Sequence, residues 1–503
     1  METFHVITFG CQMNVHDSSR MAEVLTVAGY RAAANVDQAD IVLLNTCSVR
    51  DKAEQKLRSE VGRLGLRKAH GEPKTIVVAG CVAQQEGERL LRAAPEIDLV
   101  IGPDNVSELP SLLAELKLGG PRQARTRFDL DEPRFLSIRS DIAAVQPATY
   151  VTTMKGCNER CSYCIVPYTR GVERYRQSGE ILAEVDRVVA SGSREVTLLG
   201  QTVNSYADPS RSLSGHARRD QEHWTQTSRL AAEQDLTEFP ALLRALAERN
   251  PSLKRLRYVS PHPRHLTRGL IAAHRELPVL CRHVHMPVQS GSNRVLKRMI
   301  RRYTVEEYVE RVSALQDAVP GLTVSTDIIV GFPGETRADF EATLRLVEQM
   351  QFVGLFGFKY SERPGTPALR LRDDVSDAEK SARLSELFAL SEAHRHEHLN
   401  SLVGTRQVVL VEGQRPDGAW TGRTERNEIV HLACSKDIRG QLVAVAVRKA
   451  FKNSLAGEAL DPELTRPVTE LPRLRVQARD PGAPDTAPGL PEPQPPRRVL
   501  DVL

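Results

Sequence analysis

Short apolar runs alternate with amphipathic stretches along the first 120 residues. FHVITFG (4–10), IVLLNTC (41–47), TIVVAGC (75–81) and IDLVIG (97–102) have the length and composition of buried strands. Between them lie helical patterns such as DSSRMAEVLTVAGY, with a Ser/Asp start at Asp17 and Ser18 and a Gly stop at Gly29. Strand–helix alternation of this kind predicts a parallel, doubly wound α/β sheet, placed at 1–120. A charged, weakly periodic linker follows at 121–148.

From residue 149 the alternation resumes. TYVTTMKGC, EVTLLGQ, LKRLRYVS, CRHVHMPVQ, LTVSTDIIVG and VGLFGFKYS read as strands, separated by helical stretches such as SGEILAEVDRVVASG and TVEEYVERVSALQDAV. Six βα units predict a barrel or partial barrel over 149–400, with its site at the C-terminal ends of the strands. A polar insert at 207–237 interrupts it and reads as a surface excursion. Short strands and Gly-rich turns over 401–465 predict a small all-β barrel. The tail, 466–503, carries nine prolines and is expected to be extended or disordered.

Composition narrows the class. With 503 residues, 41% hydrophobic and 26% charged, the chain has the makeup of a globular protein of about three domains. No apolar run approaches the roughly 18 residues of a spanning helix. The opening METFHVITFG lacks the features of a signal peptide, so a cytoplasmic location without membrane contact is expected. Eight cysteines are too sparse for a disulfide scaffold and point instead to metal or redox chemistry.

Cys11, Cys47 and Cys81 each stand at, or one residue beyond, a strand end. Open α/β sheets bind ligands outside the carboxyl ends of their strands, so the three thiols are placed to converge on one mouth. The competing reading is three buried structural cysteines. A second set, Cys157, Cys161 and Cys164, forms CxxxCxxC directly after a predicted strand. Sulfur ligands select zinc or iron–sulfur. Structural zinc takes four closed ligands, and only three are local here. A three-Cys 4Fe–4S cluster would leave one iron open for a small ligand.

With Tyr163 before its last cysteine, this motif resembles the hallmark of the radical S-adenosylmethionine (SAM) superfamily, CxxxCxΦC with Φ aromatic. MKGCNERCSYCIVPYTRG, LLGQTVNSY, FGCQMNVHDS, NTCSVRDKAEQK, AGCVAQQEGE, VHMPVQSGSNRVLKRM and DIIVGFPGET together resemble tRNA methylthiotransferases of the MiaB type over residues 3–465. The resemblance implies a 4Fe–4S cluster with exchangeable SAM on Cys157, Cys161 and Cys164, and an auxiliary 4Fe–4S cluster on Cys11, Cys47 and Cys81. It makes the C-terminal β module an RNA-binding TRAM domain. It implies methylthiolation of carbon 2 of N6-isopentenyl-adenosine next to the anticodon of tRNA. One SAM methylates sulfur on the auxiliary cluster, and another yields the 5′-deoxyadenosyl radical that removes the hydrogen. An electron donor such as a flavodoxin or ferredoxin and a sulfur source are implied partners, and a monomer is expected. Gly200 and Gln201 end the second barrel strand, where the superfamily contacts the SAM amino group, and Gly331 ends the fifth, where adenosyl would approach. Thr202 and Tyr175 depart from the family pattern, and neither is expected to touch the six cysteines.

Twelve basic residues against Glu276 give the segment 254–302 a net charge of 12 − 1 = +11, which favours a phosphate-contacting surface. In the β module, Arg, Lys and Trp420 suit backbone contact and base stacking. His394, His396 and His398 read as surface residues of a polar helix, and Cys281 and Cys434 as structural. Two readings compete with the leading one. The same chemistry could act on threonylcarbamoyl-adenosine in tRNA or on a ribosomal-protein aspartate, or the chain could be a non-catalytic RNA-binding protein with zinc-stabilised cysteine sites.

Overall fold

Alternate residues of the N-terminal strands face opposite ways and are apolar on both sides, so the sheet needs a helical layer on each face. The computed structural model describes residues 1–49, 51–72, 74–130, 133–137, 146–210 and 237–464. Six parallel strands, β1 (Thr3–Phe9), β2 (Arg31–Ala32), β3 (Ile41–Thr46), β4 (Thr75–Gly80), β5 (Leu99–Ile101) and β6 (Gln123–Arg125), pair in the order β2-β1-β3-β4-β5-β6. Val42, Leu44, Ile76 and Val78 pack on one face against Leu57, Val61 and Leu64 of the helix Asp51–Ala69. Ile41, Leu43, Val77 and Ala79 pack on the other against Met21, Leu25, Leu109 and Leu113. β6 falls within residues expected to be linker; its short, polar sequence carries no strand pattern, and pairing with β5 alone recruits it. The first helix also starts earlier than expected. It runs Gln12–Val27 with Cys11 as its N-cap, and Asp17 and Ser18 lie inside it.

The central module is an open arc of six parallel strands: β7 (Ala148–Thr152), β10 (Glu195–Leu199), β11 (Arg255–Tyr258), β12 (His283–His285), β13 (Thr323–Val330) and β14 (Gly354–Lys359). A parallel bridge between Leu256 and Leu280 joins the two three-stranded halves. A small antiparallel pair, β8 (Met154–Lys155) and β9 (Arg174–Tyr175), brackets the cysteine loop. Val151, Val196, Leu198, Leu256, Val284, Val324 and Ile328 face the surrounding helices. The alternate positions, including Glu195, Arg255, Arg257, His283, His285, Ser325, Asp327 and Phe356, therefore line the inside of the arc.

Strands β15 (Arg406–Gln414), β16 (Trp420–Arg423), β17 (Ile429–Leu432), β18 (Leu442–Ala450) and β19 (Leu455–Ala459) form a closed barrel. It is fastened to the arc through Arg255 and Arg257, whose guanidinium groups donate to the carbonyls of Val408, Arg423, Thr424 and Glu425. Trp420, expected to offer a stacking face, is only 6% exposed and packs in the barrel core, with Nε1 donating to the Cys434 carbonyl at 3.1 Å. Its position at the start of β16 turns it inward, which composition could not reveal. The insert 207–237, apart from residues 207–210 and 237, and the whole tail 466–503 lie outside the described residues.

Candidate functional site

The sheet order places a topological switch between β1 and β3, where an open α/β sheet forms its crevice. Cys11 follows β1 and Cys47 follows β3, so they flank that crevice, and Cys81 follows the adjacent β4. The strand ends approach closely. A Cβ on Gly10, whose φ is +147°, would lie 2.5 Å from the Cys47 Cβ and 2.6 Å from Asn14 Oδ1. Asn14 Oδ1 accepts from both the backbone N–H and the thiol of Cys11. Asn45 fastens that turn by donating to the Asn14 carbonyl at 2.8 Å and accepting from Asn14 Nδ2 at 3.1 Å. The Cys47 thiol donates to Cys11, and this outweighs burial to bring Cys11 down to about 6. The same contact, with burial, pushes Cys47 up.

Cys157, Cys161 and Cys164 occupy the loop between β8 and β9. Gly156 precedes them with φ +78°, and a Cβ there would overlap the Val172 carbonyl oxygen and lie 2.6 Å from Gly171 O. That approach lets the Cys157 N–H donate to Gly171 O at 3.1 Å. Ser162 pins the loop to the chain beyond β12, its N–H donating to Met299 O at 3.0 Å and its hydroxyl to Arg298 O at 2.8 Å. Arg301 Nη1 donates to Cys161 Sγ at 3.3 Å. Thr202 Oγ1 lies 3.0 Å from Cys157 Sγ, so this departure from the family pattern does touch a cysteine, because the turn after β10 folds back over the loop. Burial pushes Cys157 up, and burial with the neighbouring Cys161 pushes Cys164 up to about 12.

Charge complementarity joins the two modules that carry these triads. Arg170 Nη2 meets Asp17 Oδ2 at 2.6 Å and its Nε donates to Cys81 Sγ at 3.3 Å. Arg174 and Lys155 meet Asp104 at 2.5 and 3.1 Å, and Arg363 meets Glu54 at 3.2 Å while donating to the Val49 carbonyl near Cys47. In each pair the acid belongs to the N-terminal sheet domain and the cation to the central arc module. Burial opposes ionisation of Asp17, but the Arg170 guanidinium prevails and holds its carboxyl at about 2.

The donor set tests what could bind. One zinc ion with bonds of about 2.3 Å draws tetrahedral ligands to within about 4 Å of one another. Among the described residues, only Glu159, His262 and His265 bring three such atoms within 4.8 Å, and Arg264 already occupies Glu159 at 3.3 Å. Neither cysteine triad brings its three sulfurs within 4.8 Å of one another. Beside Cys47, Thr46 Oγ1 and Ser48 Oγ are buried without hydrogen-bond partners, as is Gln201 Oε1 beyond β10. All-thiol donors with spare polar groups beside them fit iron–sulfur clusters.

Gly200 is buried behind Met154, since a Cβ on it would lie 2.6 Å from Met154 Cγ. Gly331 ends β13 in a left-handed turn with φ +69°, its N–H donating to Glu335 at 2.6 Å. The basic segment 254–302 does not form a single surface. Arg255, Arg264 and Arg301 are buried and Arg257 and Arg298 half-buried, because each is consumed by an internal carbonyl, carboxylate or sulfur. Lys254, Arg268, Arg275, Arg282, Arg294, Lys297 and Arg302 remain exposed. Sequence reasoning missed Arg170 and Arg301 at the sulfurs; a cation six residues after Cys164 was the one available signal. It also missed Phe356, 54% exposed on the inner face of the arc, edge-on to His285 at 5.7 Å, with Asp327 3.3 Å from His285 Nε2.

Comparison with known proteins agrees with this three-part layout. Residues 3–102 match the Uncharacterized protein family UPF0004, residues 151–347 the Radical SAM superfamily and residues 400–460 the TRAM domain. A tRNA-2-methylthio-N(6)-dimethylallyladenosine synthase of Sorangium cellulosum is 56% identical, the match covering 100% of this chain and 99% of that protein. One of Geobacter sulfurreducens is 44% identical, over 90% and 96%. Among solved structures, the radical S-adenosylmethionine methyltransferase TsrM from Kitasatospora setae shares the fold at a TM-score of 0.50 and 15% identity, over 83% of this chain and 80% of that one.

Proposed function

The chain belongs to the family of tRNA-2-methylthio-N(6)-dimethylallyladenosine synthases, and from that premise we propose that it methylthiolates carbon 2 of N6-isopentenyl-adenosine beside the anticodon of tRNA. It is a radical SAM enzyme, and its superfamily works with SAM and a 4Fe–4S cluster. In our reading Cys157, Cys161 and Cys164 hold that cluster, and Cys11, Cys47 and Cys81 hold a second 4Fe–4S cluster. The observation that carries this reading is the pair of three-thiol centres, each at the C-terminal end of its own parallel sheet, joined by the Arg170–Asp17 contact. Bound clusters and SAM supply the reductive carbon-radical chemistry and the sulfur that no side chain provides.

The chain's own residues bind, orient and shield. Arg301 and Thr202 hold Cys161 and Cys157 through their sulfurs. Tyr163 packs edge-on to Phe332, 6.5 Å between ring centres, and anchors the loop against the end of β13. Gln201, with its free Oε1, is placed to accept from the SAM amino group. Gly200 and Gly331 offer SAM only their backbone just past β10 and β13, since the places of their Cβ atoms are filled by Met154 and Lys380. Phe356 offers a stacking face for the target base, and His285 is held beside it by Ser325 at 2.9 Å and by Asp327. The exposed cations of 254–302 and the TRAM module approach the tRNA backbone. A flavodoxin or ferredoxin delivers electrons, a separate donor replenishes sulfur, and the protein works as a cytoplasmic monomer. Among the described residues no helix is long and apolar enough to cross a membrane.

Two measurements test this. Iron and acid-labile sulfide per chain, after anaerobic reconstitution, should be about eight each in the wild type and about four each in the Cys157/Cys161/Cys164→Ala variant. Zinc without labile sulfide would overturn the reading in favour of a non-catalytic RNA-binding protein. Nucleoside mass spectrometry of tRNA from a deletion strain should show loss of methylthio-isopentenyl-adenosine. Loss of only the methylthio-threonylcarbamoyl nucleoside would transfer the activity to that substrate.

A further inference from the structure

Arg170 belongs to the chain segment that leaves the Cys157–Cys164 loop, yet its guanidinium lies in the other cysteine centre. Its Nε donates to Cys81 Sγ at 3.3 Å and its Nη2 pairs with Asp17 at 2.6 Å. Asp17 sits on the helix that Cys11 caps. The Arg170 carbonyl accepts from Arg174 Nη2 at 2.7 Å, so the arginine is held at both its backbone and its side chain. Arg170 and Cys81 are both buried, and Asp17 is nearly so. Arg174 and Lys155 bridge the same two modules through Asp104, but they contact no sulfur. Joining the modules therefore does not by itself require a cation against Cys81.

We propose that Arg170 is a positioning residue of the Cys11/Cys47/Cys81 centre, fixing it against the Cys157 loop and raising its reduction potential. The proposal rests on the reading that these three cysteines hold a 4Fe–4S cluster. Reduction adds one electron to such a cluster and increases the negative charge on its sulfurs. A guanidinium that never deprotonates, donating to one of those sulfurs away from water, stabilises the reduced form more than the oxidised form. Hydrogen bonds to ligand sulfurs and burial are established means of setting cluster potentials.

The test uses the full chain carrying Cys157/Cys161/Cys164→Ala, reconstituted anaerobically, so that only the cluster under study contributes a signal. Its potential is read by electron paramagnetic resonance during titration with a chemical reductant. In that background Arg170→Gln is expected to lower the reduction equilibrium constant tenfold or more, a shift of about 59 mV for a one-electron couple. Arg170→Lys, which keeps the charge, should stay within about half of that shift, and Arg174→Gln should match the parent. A parent-like potential in Arg170→Gln overturns the proposal while leaving the cluster assignment standing. So does an equal shift in Arg174→Gln, which would mark a general loosening of the interface. If Arg170→Gln takes up no iron, Arg170→Lys decides: a near-parent potential supports the proposal and a tenfold loss overturns it. Absence of iron in the parent background overturns the cluster assignment and the proposal together.

Discussion

Replacing Gly156 by Ala tests how the backbone presents Cys157. The substitution adds one carbon at a residue with φ +78°, against the backbone carbonyls of Val172 and Gly171. The left-handed conformation costs an L-residue about 1–2 kcal/mol. Overpacking a rigid site adds roughly 1–3 kcal/mol, and a carbonyl in a β-pair flank cannot rotate aside as a side chain would. The sum, about 2–5 kcal/mol, is concentrated on the turn whose Cys157 N–H donates to Gly171 O. Relief requires moving that turn, which takes Cys157 away from Cys161 and Cys164. Iron and labile sulfide per reconstituted chain should fall from about eight toward about four, with the remainder held by the other triad. Gly62→Ala is the control: it lies in the helix Asp51–Ala69, and a Cβ there meets nothing within 4 Å. It should be neutral or stabilising by up to about 1 kcal/mol. Wild-type iron content together with a wild-type unfolding midpoint in Gly156→Ala would refute the reasoning.

Other consequences are open to measurement. Phe356→Ala should raise the KM for tRNA about 5- to 100-fold with a smaller change in kcat, the usual worth of one stacked base, and Phe356→Trp should retain most affinity; steady-state kinetics on an isopentenylated stem-loop decides. Trp420→Ala should destabilise the C-terminal barrel by about 3–5 kcal/mol in denaturant unfolding followed by circular dichroism, whereas an exposed stacking residue would leave stability unchanged. Burial lowers His274 to about 4, its ring accepting from or donating to the Tyr258 hydroxyl at 2.8 Å. Below about pH 6.5 the unfolded chain binds a proton that the folded chain refuses, so stability falls as pH drops from about 6.5 toward about 4, by about 2 kcal/mol at pH 5. His274→Gln should lose less than the wild type between pH 7 and pH 5 in the same unfolding assay.

Much of the fold was legible because its determinants are local in the chain. The apolar runs of β1, β3, β4 and β5 and of the six arc strands are periodic and short, and hydrophobic burial acts on them wherever they end up. The places of Cys11, Cys47 and Cys81 were legible for the same reason: each stands at or just past a strand end, and strand polarity puts it at the mouth of its sheet. Close spacing alone keeps Cys157, Cys161 and Cys164 in one loop. Tertiary structure decided what depends on partners distant in sequence. β6 is a strand only because β5 offers an open edge. Cys11, not Asp17 or Ser18, caps the first helix, because the tight approach of β1 to β3 starts the turn there. Trp420 points inward, and five of the twelve cations in 254–302 are drawn inside by particular carbonyls, carboxylates and one sulfur. Beyond the place of Arg170 six residues after Cys164, nothing in the sequence marks it or Arg301 as the partner of a sulfur. A charged side chain satisfies its desolvation only against groups that three-dimensional packing brings near, and no spacing along the chain encodes which groups those are.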